Sequence, residues 1–145
     1  MRHEDPRVAR VIERYEALTR AGLPQLDELY RPEARFKDPF NEVQGLAAIR
    51  RIFEHMFDTL DTPRFVIRDA VAQHDQAFLT WDFHFRTRRR NAAAFTVHGA
   101  THLQFASDGR IVVHRDYWDA AEELYEKLPV LGPLMRWLRR RAAAT

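Results

Sequence analysis

Apolar residues recur every three or four positions in the first part of the chain and at every second position later on. From Asp5 to Thr19, Val8, Val11, Ile12, Tyr15 and Leu18 fall on one stripe. Asp5 is placed to cap and Pro6 to open the first turn, so the spacing predicts an amphipathic helix. Ala21-Gly22 ends it, and Leu23-Pro24 starts a short second helix with Leu26, Leu29 and Tyr30 on its apolar side. Ala34 to Pro39 reads as a brief extended piece stopped by proline. After Gly45 a third helix carries Ile49, Ile52, Phe53, Met56 and Phe57 on one stripe.

Beyond Pro63 the period becomes two. Strands are expected over Phe65–Val71, Ala77–Thr87, Phe95–Phe105 and Arg110–Trp118. Asp108-Gly109 between the last two marks a hairpin, because that pair tolerates positive φ. Helices first and strands after them predict an α+β domain whose helices cover one face of a curved antiparallel sheet. No repeat or low-complexity linker divides the 145 residues, a length that suits a single domain.

Composition narrows the function classes. Hydrophobic residues are 46% and charged residues 30%, as in an ordinary globular protein. A net charge of +2 is too small to suggest a nucleic-acid binder. Without cysteine there is no disulfide, thiol nucleophile or thiolate metal site. No stretch has the apolar length of a membrane span, and the charged N-terminus does not read as a signal peptide, so a cytoplasmic location is expected.

Two strands carry the chemistry. In the second, Leu79, Trp81, Phe83 and Phe85 share one face and Thr80, Asp82, His84 and Arg86 the other. The alternation alone puts the aromatics in the core and the polar set in water. In the last strand Val112, His114, Asp116 and Trp118 share a face. A few polar groups in an apolar wall are typical of ligand pockets.

The segments Arg14-Tyr15-Glu16-Ala17-Leu18, Ala34-Arg35-Phe36-Lys37-Asp38-Pro39 and Gly45-Leu46-Ala47-Ala48-Ile49-Arg50 resemble the N-terminal half of bacterial ketosteroid isomerases. Asp108 to Asp119 is similar to the closing strand of limonene epoxide hydrolases and SnoaL-like polyketide cyclases. The resemblance covers roughly residues 8 to 120 and implies the cone-shaped half-barrel of the nuclear transport factor 2-like superfamily. It also implies an interior lined by Thr80, Asp82, His84, Thr101, His114, Asp116 and Trp118, with Tyr15, Asp38 and Phe53. Trp81, Phe83 and Phe85 would then face outward and call for a homodimer through the outer sheet face.

Carried over residue by residue, Asp38 falls at the position of the isomerases' general base and Tyr15 at an oxyanion donor. Thr101 stands where those enzymes keep a protonated aspartic acid. Asp116 matches an aspartate that positions water in the epoxide hydrolases; His84 and His114 would move protons beside it. The resemblance therefore implies cofactor-free proton transfer, or addition or removal of water, on a small hydrophobic molecule. A non-catalytic binder of the same fold is the alternative. A metal is not expected, since no His-x-x-His spacing occurs.

Two basic segments remain. Arg86 to Asn91 reads as a solvated hairpin tip. Residues 119–145 form a helical extension broken at Leu128-Pro129, with Gly132-Pro133 as a pivot. Its last part sets Leu131, Leu134, Met135 and Leu138 against Arg136, Arg139, Arg140 and Arg141. It suits an anionic or membrane surface, but packing on its own domain or on a dimer mate is the expectation.

Overall fold

The structure is a computed structural model that describes residues 2–88, 93–123 and 131–143. It opens with α1 (Pro6–Glu16), capped by the Asp5 carboxylate, which accepts from Arg7 N at 2.9 Å. Val8, Val11, Ile12 and Tyr15 form its buried stripe. A 3-10 helix (Arg20–Glu28) follows, carrying Pro24 within it and burying Leu23 and Leu26. Strands β1 (Tyr30–Lys37) and β2 (Glu42–Gln44) precede α2 (Leu46–Thr59), which buries Ile49 and Phe53. Four strands complete the sheet: β3 (Leu60–Gln73), β4 (Gln76–Thr87), β5 (Ala94–Phe105) and β6 (Ile111–Tyr117). Two helices follow, α3 (Ala120–Glu123) and α4 (Leu131–Ala142).

The strands make one curved, unclosed sheet in the order β2-β1-β6-β5-β4-β3. β3 to β6 form the antiparallel meander that the alternation predicts, with Gly109 at φ +85° in the last hairpin. β1 runs parallel to β6, with Phe36 opposite His114, so the beginning of the chain is paired to the final strand. Tyr30, expected on the second helix, instead opens β1 and is fully buried. α1 and α2 pack on the inner face, and Val8, Val11, Ile12, Ile49, Leu103 and Ile111 fill the core between them and the sheet.

The implied facing of β4 is overturned. Leu79, Trp81 and Phe85 are buried on the inner face, and Phe83 stacks on Phe65 there at 4.6 Å. Thr80, Asp82 and His84 therefore lie on the outer face. Cross-strand register explains this: Leu79 sits opposite Thr101, and Thr101 opposite Asp116, so Leu79 shares the inner face with those two. The burial drive of four large apolar side chains decides the facing against the polar set. The outward aromatic row that called for a dimer is thus absent.

At the other end, α4 rests beside α3 with Arg139 and Glu122 3.6 Å apart. Of its apolar residues, Leu134, Trp137 and Leu138 are 51%, 49% and 45% exposed in the single chain. Gly132-Pro133 lies inside its first turn, where proline fits, so it is no pivot. The expected break at Leu128-Pro129 and the tip residues Arg89 to Asn91 lie outside the described residues.

Candidate active site

A chain of hydrogen bonds crosses the inner face of the sheet beneath α1. It starts at Trp81 on β4, whose Nε1–H donates to Thr101 Oγ1 on β5 at 2.7 Å. Thr101 donates in turn to Asp116 Oδ1 on β6 at 2.6 Å. The same oxygen lies 2.7 Å from Nε2 of His114. Nδ1 of that ring faces two tyrosine hydroxyls, Tyr30 at 2.8 Å and Tyr15 at 3.2 Å, and the hydroxyls are bonded to each other. His114 is 3% and Thr101 4% exposed, so these partners replace water.

The donor inventory fixes most proton positions. Indole N–H can only donate, so Thr101 accepts there and has one proton left, which goes to Asp116. A carboxylate can only accept, so His114 presents Nε2–H to it, which in the neutral ring leaves Nδ1 as an acceptor. Tyr30, the nearer hydroxyl, then donates to Nδ1, and Tyr15 donates to Tyr30. Burial holds both phenols well above their ordinary pKa, with the Asp116 charge adding to the effect, so both remain donors.

These bonds leave one acceptor bare. Both donors reach Oδ1 of Asp116, and Oδ2 has no hydrogen-bond partner among the described residues. Its side chain is 17% exposed and borders two spaces. One is an apolar cavity of about 30 Å³, walled by Tyr15, Phe53, Phe65, Leu79 and Trp81. It has room for roughly one or two water molecules. The other is an open depression of about 570 Å³ lined by Lys37, Asp38, Pro39, Tyr117 and Trp118 among others. Phe40 meets Trp118 edge-on there at 5.5 Å. Asp116 is the side chain common to the two.

The structure brings Tyr15, Phe53, Thr101, His114 and Asp116 together, with Trp118 at the depression. Asp38 stands on that rim, but its Oδ1 accepts from Phe40 N at 2.8 Å and Asn41 N at 2.7 Å, holding the turn after β1. Thr101 has no proton to spare for a ligand, contrary to the donor role the resemblance implies. Outside the cavity, His84 Nδ1 pairs with Thr96 at 2.8 Å, and Thr80 leans toward Asp69. Asp82 binds His98 at 2.5 Å and Arg68 Nε at 2.6 Å, which lower its pKa. Burial of that carboxylate is offset by these two partners on the outer face.

Sequence reasoning missed Tyr30 and Trp81. Tyr30 sat in an apparent helical stripe, and Trp81 in an apolar alternation, where each reads as core. Among the described residues no three His, Asp or Glu side chains cluster as a metal site.

Residues 11–114 match the SnoaL-like domain family. The chain belongs to that family. Solved structures with the SnoaL-like architecture agree in fold. TsrD from Streptomyces laurentii superposes with a TM-score of 0.72 at 22% identity, over 89% of this chain and 100% of its own. A protein of ketosteroid isomerase-like fold from Catenulispora acidiphila, solved in complex with trimethylamine, also gives 0.72, at 14% identity over 84% and 92%. A Shewanella putrefaciens protein named after SnoaL-like polyketide cyclases gives 0.70 at 16% identity over 84% and 98%. At such identities the likeness is one of fold. No curated protein matches the chain in sequence to significance.

Proposed function

We propose that this SnoaL-like protein is a cofactor-independent acid–base enzyme acting on a small hydrophobic molecule, with Asp116 as the base. The observation that carries the reading is the bare Oδ2 of Asp116, held in place through Oδ1 by His114 and Thr101 beside an apolar cavity. A positioned carboxylate with a free lone pair takes a proton from a C–H next to a carbonyl, or from water that then adds to the substrate. Tyr15, which lines the same cavity, turns its proton from Tyr30 to the substrate oxygen as negative charge develops there. His114 ties the acid and base halves together, orienting the carboxylate through Nε2 and accepting from Tyr30 through Nδ1.

The cavity is small, so a substrate enters by displacing water and shifting the rings at its wall. Phe53 and Phe65, which meet Tyr15 edge-on at 6.1 and 5.5 Å, are those rings. The test is solvent deuterium uptake by a panel of small cyclic ketones, with epoxide opening scored in parallel. Asp116→Asn should cut turnover by about 10² to 10⁴-fold while ligand binding persists. Unchanged turnover in that variant refutes the assignment of the base.

A ligand binder without turnover is the second reading, favoured by the mutual use of every proton in the string. It predicts retained small molecules and no reaction in either form. A cytoplasmic homodimer also remains part of the proposal. Its outer face offers Val71, Phe78 and Tyr117, 63%, 48% and 48% exposed, in place of the inward aromatics. Sedimentation at micromolar concentration tests it.

A further inference from the structure

The last helix leaves three large apolar side chains uncovered in the single chain. Leu134, Trp137 and Leu138, spaced three and four apart, lie on one stripe, and each is about half exposed. Spacing puts Arg136, Arg139 and Arg140 away from that stripe. Arg141, seven residues after Leu134, falls on the stripe itself and lies over the Trp137 ring at 5.5 Å. Basic charge is also segregated here. Residues 131–145 contain four arginines and no acid, while the remaining 19 basic and 21 acidic residues leave the rest of the chain at −2.

We infer that α4 is a docking helix for anionic lipid surfaces, lying in the headgroup plane with Leu134, Trp137 and Leu138 inserted and the arginines on lipid phosphates. Three occupants compete for such a stripe. Among the described residues the protein's own body leaves these three side chains open, although α3 stands beside the helix. A second copy would set like-charged α4 helices against each other, neither carrying an acid of its own, although Glu122 of α3 meets Arg139 at 3.6 Å within each chain. An anionic bilayer satisfies both halves: hydrocarbon takes the stripe, phosphates take the arginines, and the tryptophan sits at the interface it prefers. Twelve residues span about 18 Å, short of the roughly 30 Å of a hydrocarbon core, so the helix lies on the membrane and does not cross it.

The experiment is co-sedimentation of the full chain with vesicles. One set is phosphatidylcholine alone and the other equal parts phosphatidylglycerol and phosphatidylcholine. Binding at least about tenfold stronger to the anionic vesicles, weakened by salt, is expected. Trp137→Glu and, separately, Arg136→Glu with Arg140→Glu should each reduce it about tenfold or more. These side chains are exposed, so circular dichroism should show an unchanged fold. Three results overturn the inference: no preference for anionic vesicles, binding that survives both variants, or concentration-dependent self-association lost in Trp137→Glu without lipid binding. The last identifies a second copy as the occupant. None of these readouts depends on turnover, so the outcome is separate from that of the proposed reaction.

Discussion

The indole of Trp81 donates to the hydroxyl of Thr101 at 2.7 Å, and that contact decides where the threonine proton goes. With one acceptor position filled by the indole, the hydroxyl turns its hydrogen toward Asp116. Valine at position 101 would leave a buried N–H unsatisfied and take one of two donors from Oδ1. Thr101→Val should therefore lower stability by about 1–3 kcal/mol in urea unfolding, and Thr101→Ser should largely restore it. Equal stability of the valine and serine variants would refute the bond's importance.

Asp116 and Asp38 share the open depression but differ in what holds them, so asparagine should separate their roles. An amide oxygen at position 38 still accepts from the N–H groups of Phe40 and Asn41. Asp38→Asn should keep turnover within about twofold, against the loss expected for Asp116→Asn. A comparable loss at position 38 would move the base to the turn.

Gly99 lies directly across from Trp81, and the ring occupies the space a side chain would need. A Cβ there would come within 2.4 Å of the indole, far inside van der Waals contact. Gly99→Ala must push the ring off the strand and stretch its bond to Thr101. We expect a destabilisation of about 1–3 kcal/mol together with changed tryptophan fluorescence. An unaltered spectrum would show that the ring is not seated on the glycine.

The two interior phenols set an alkaline limit. Burial raises both above the ordinary value of 10.0, so the folded state keeps protons that the unfolded chain gives up. Their contribution is complete below pH 10 and falls as pH rises past that value, because only the unfolded chain then gains by ionising. Unfolding followed upward from pH 9 should show this decline, with a shallower slope in Tyr30→Phe. Identical slopes would mean that the phenols ionise alike in both states.

Much of this architecture is written locally. The stripe through Val8, Val11 and Ile12, the caps around Pro6 and the Asp108-Gly109 turn each follow from neighbours a few residues apart. The aromatic alternation of β4 also carried the correct facing. The wrong one came from the resemblance, which grouped Asp82 and His84 with His114 and Asp116 although no motif on β4 matched. What local pattern does not encode is partnership across the chain. The parallel pairing of β1 with β6 brings Tyr30 to His114 from 84 residues away, and nothing near Tyr30 announces it.

That long-range pairing also sets a timetable. Tyr15 and Tyr30 leave the ribosome early, yet their acceptor on His114 arrives only with the final strand. Until then two phenols that will end as a dry pair must remain hydrated, and the groove awaiting β6 stays unzipped. Nascent chains that stop before β6 would thus be helices and a partial meander without a chemical centre, acquiring it in the last step of collapse.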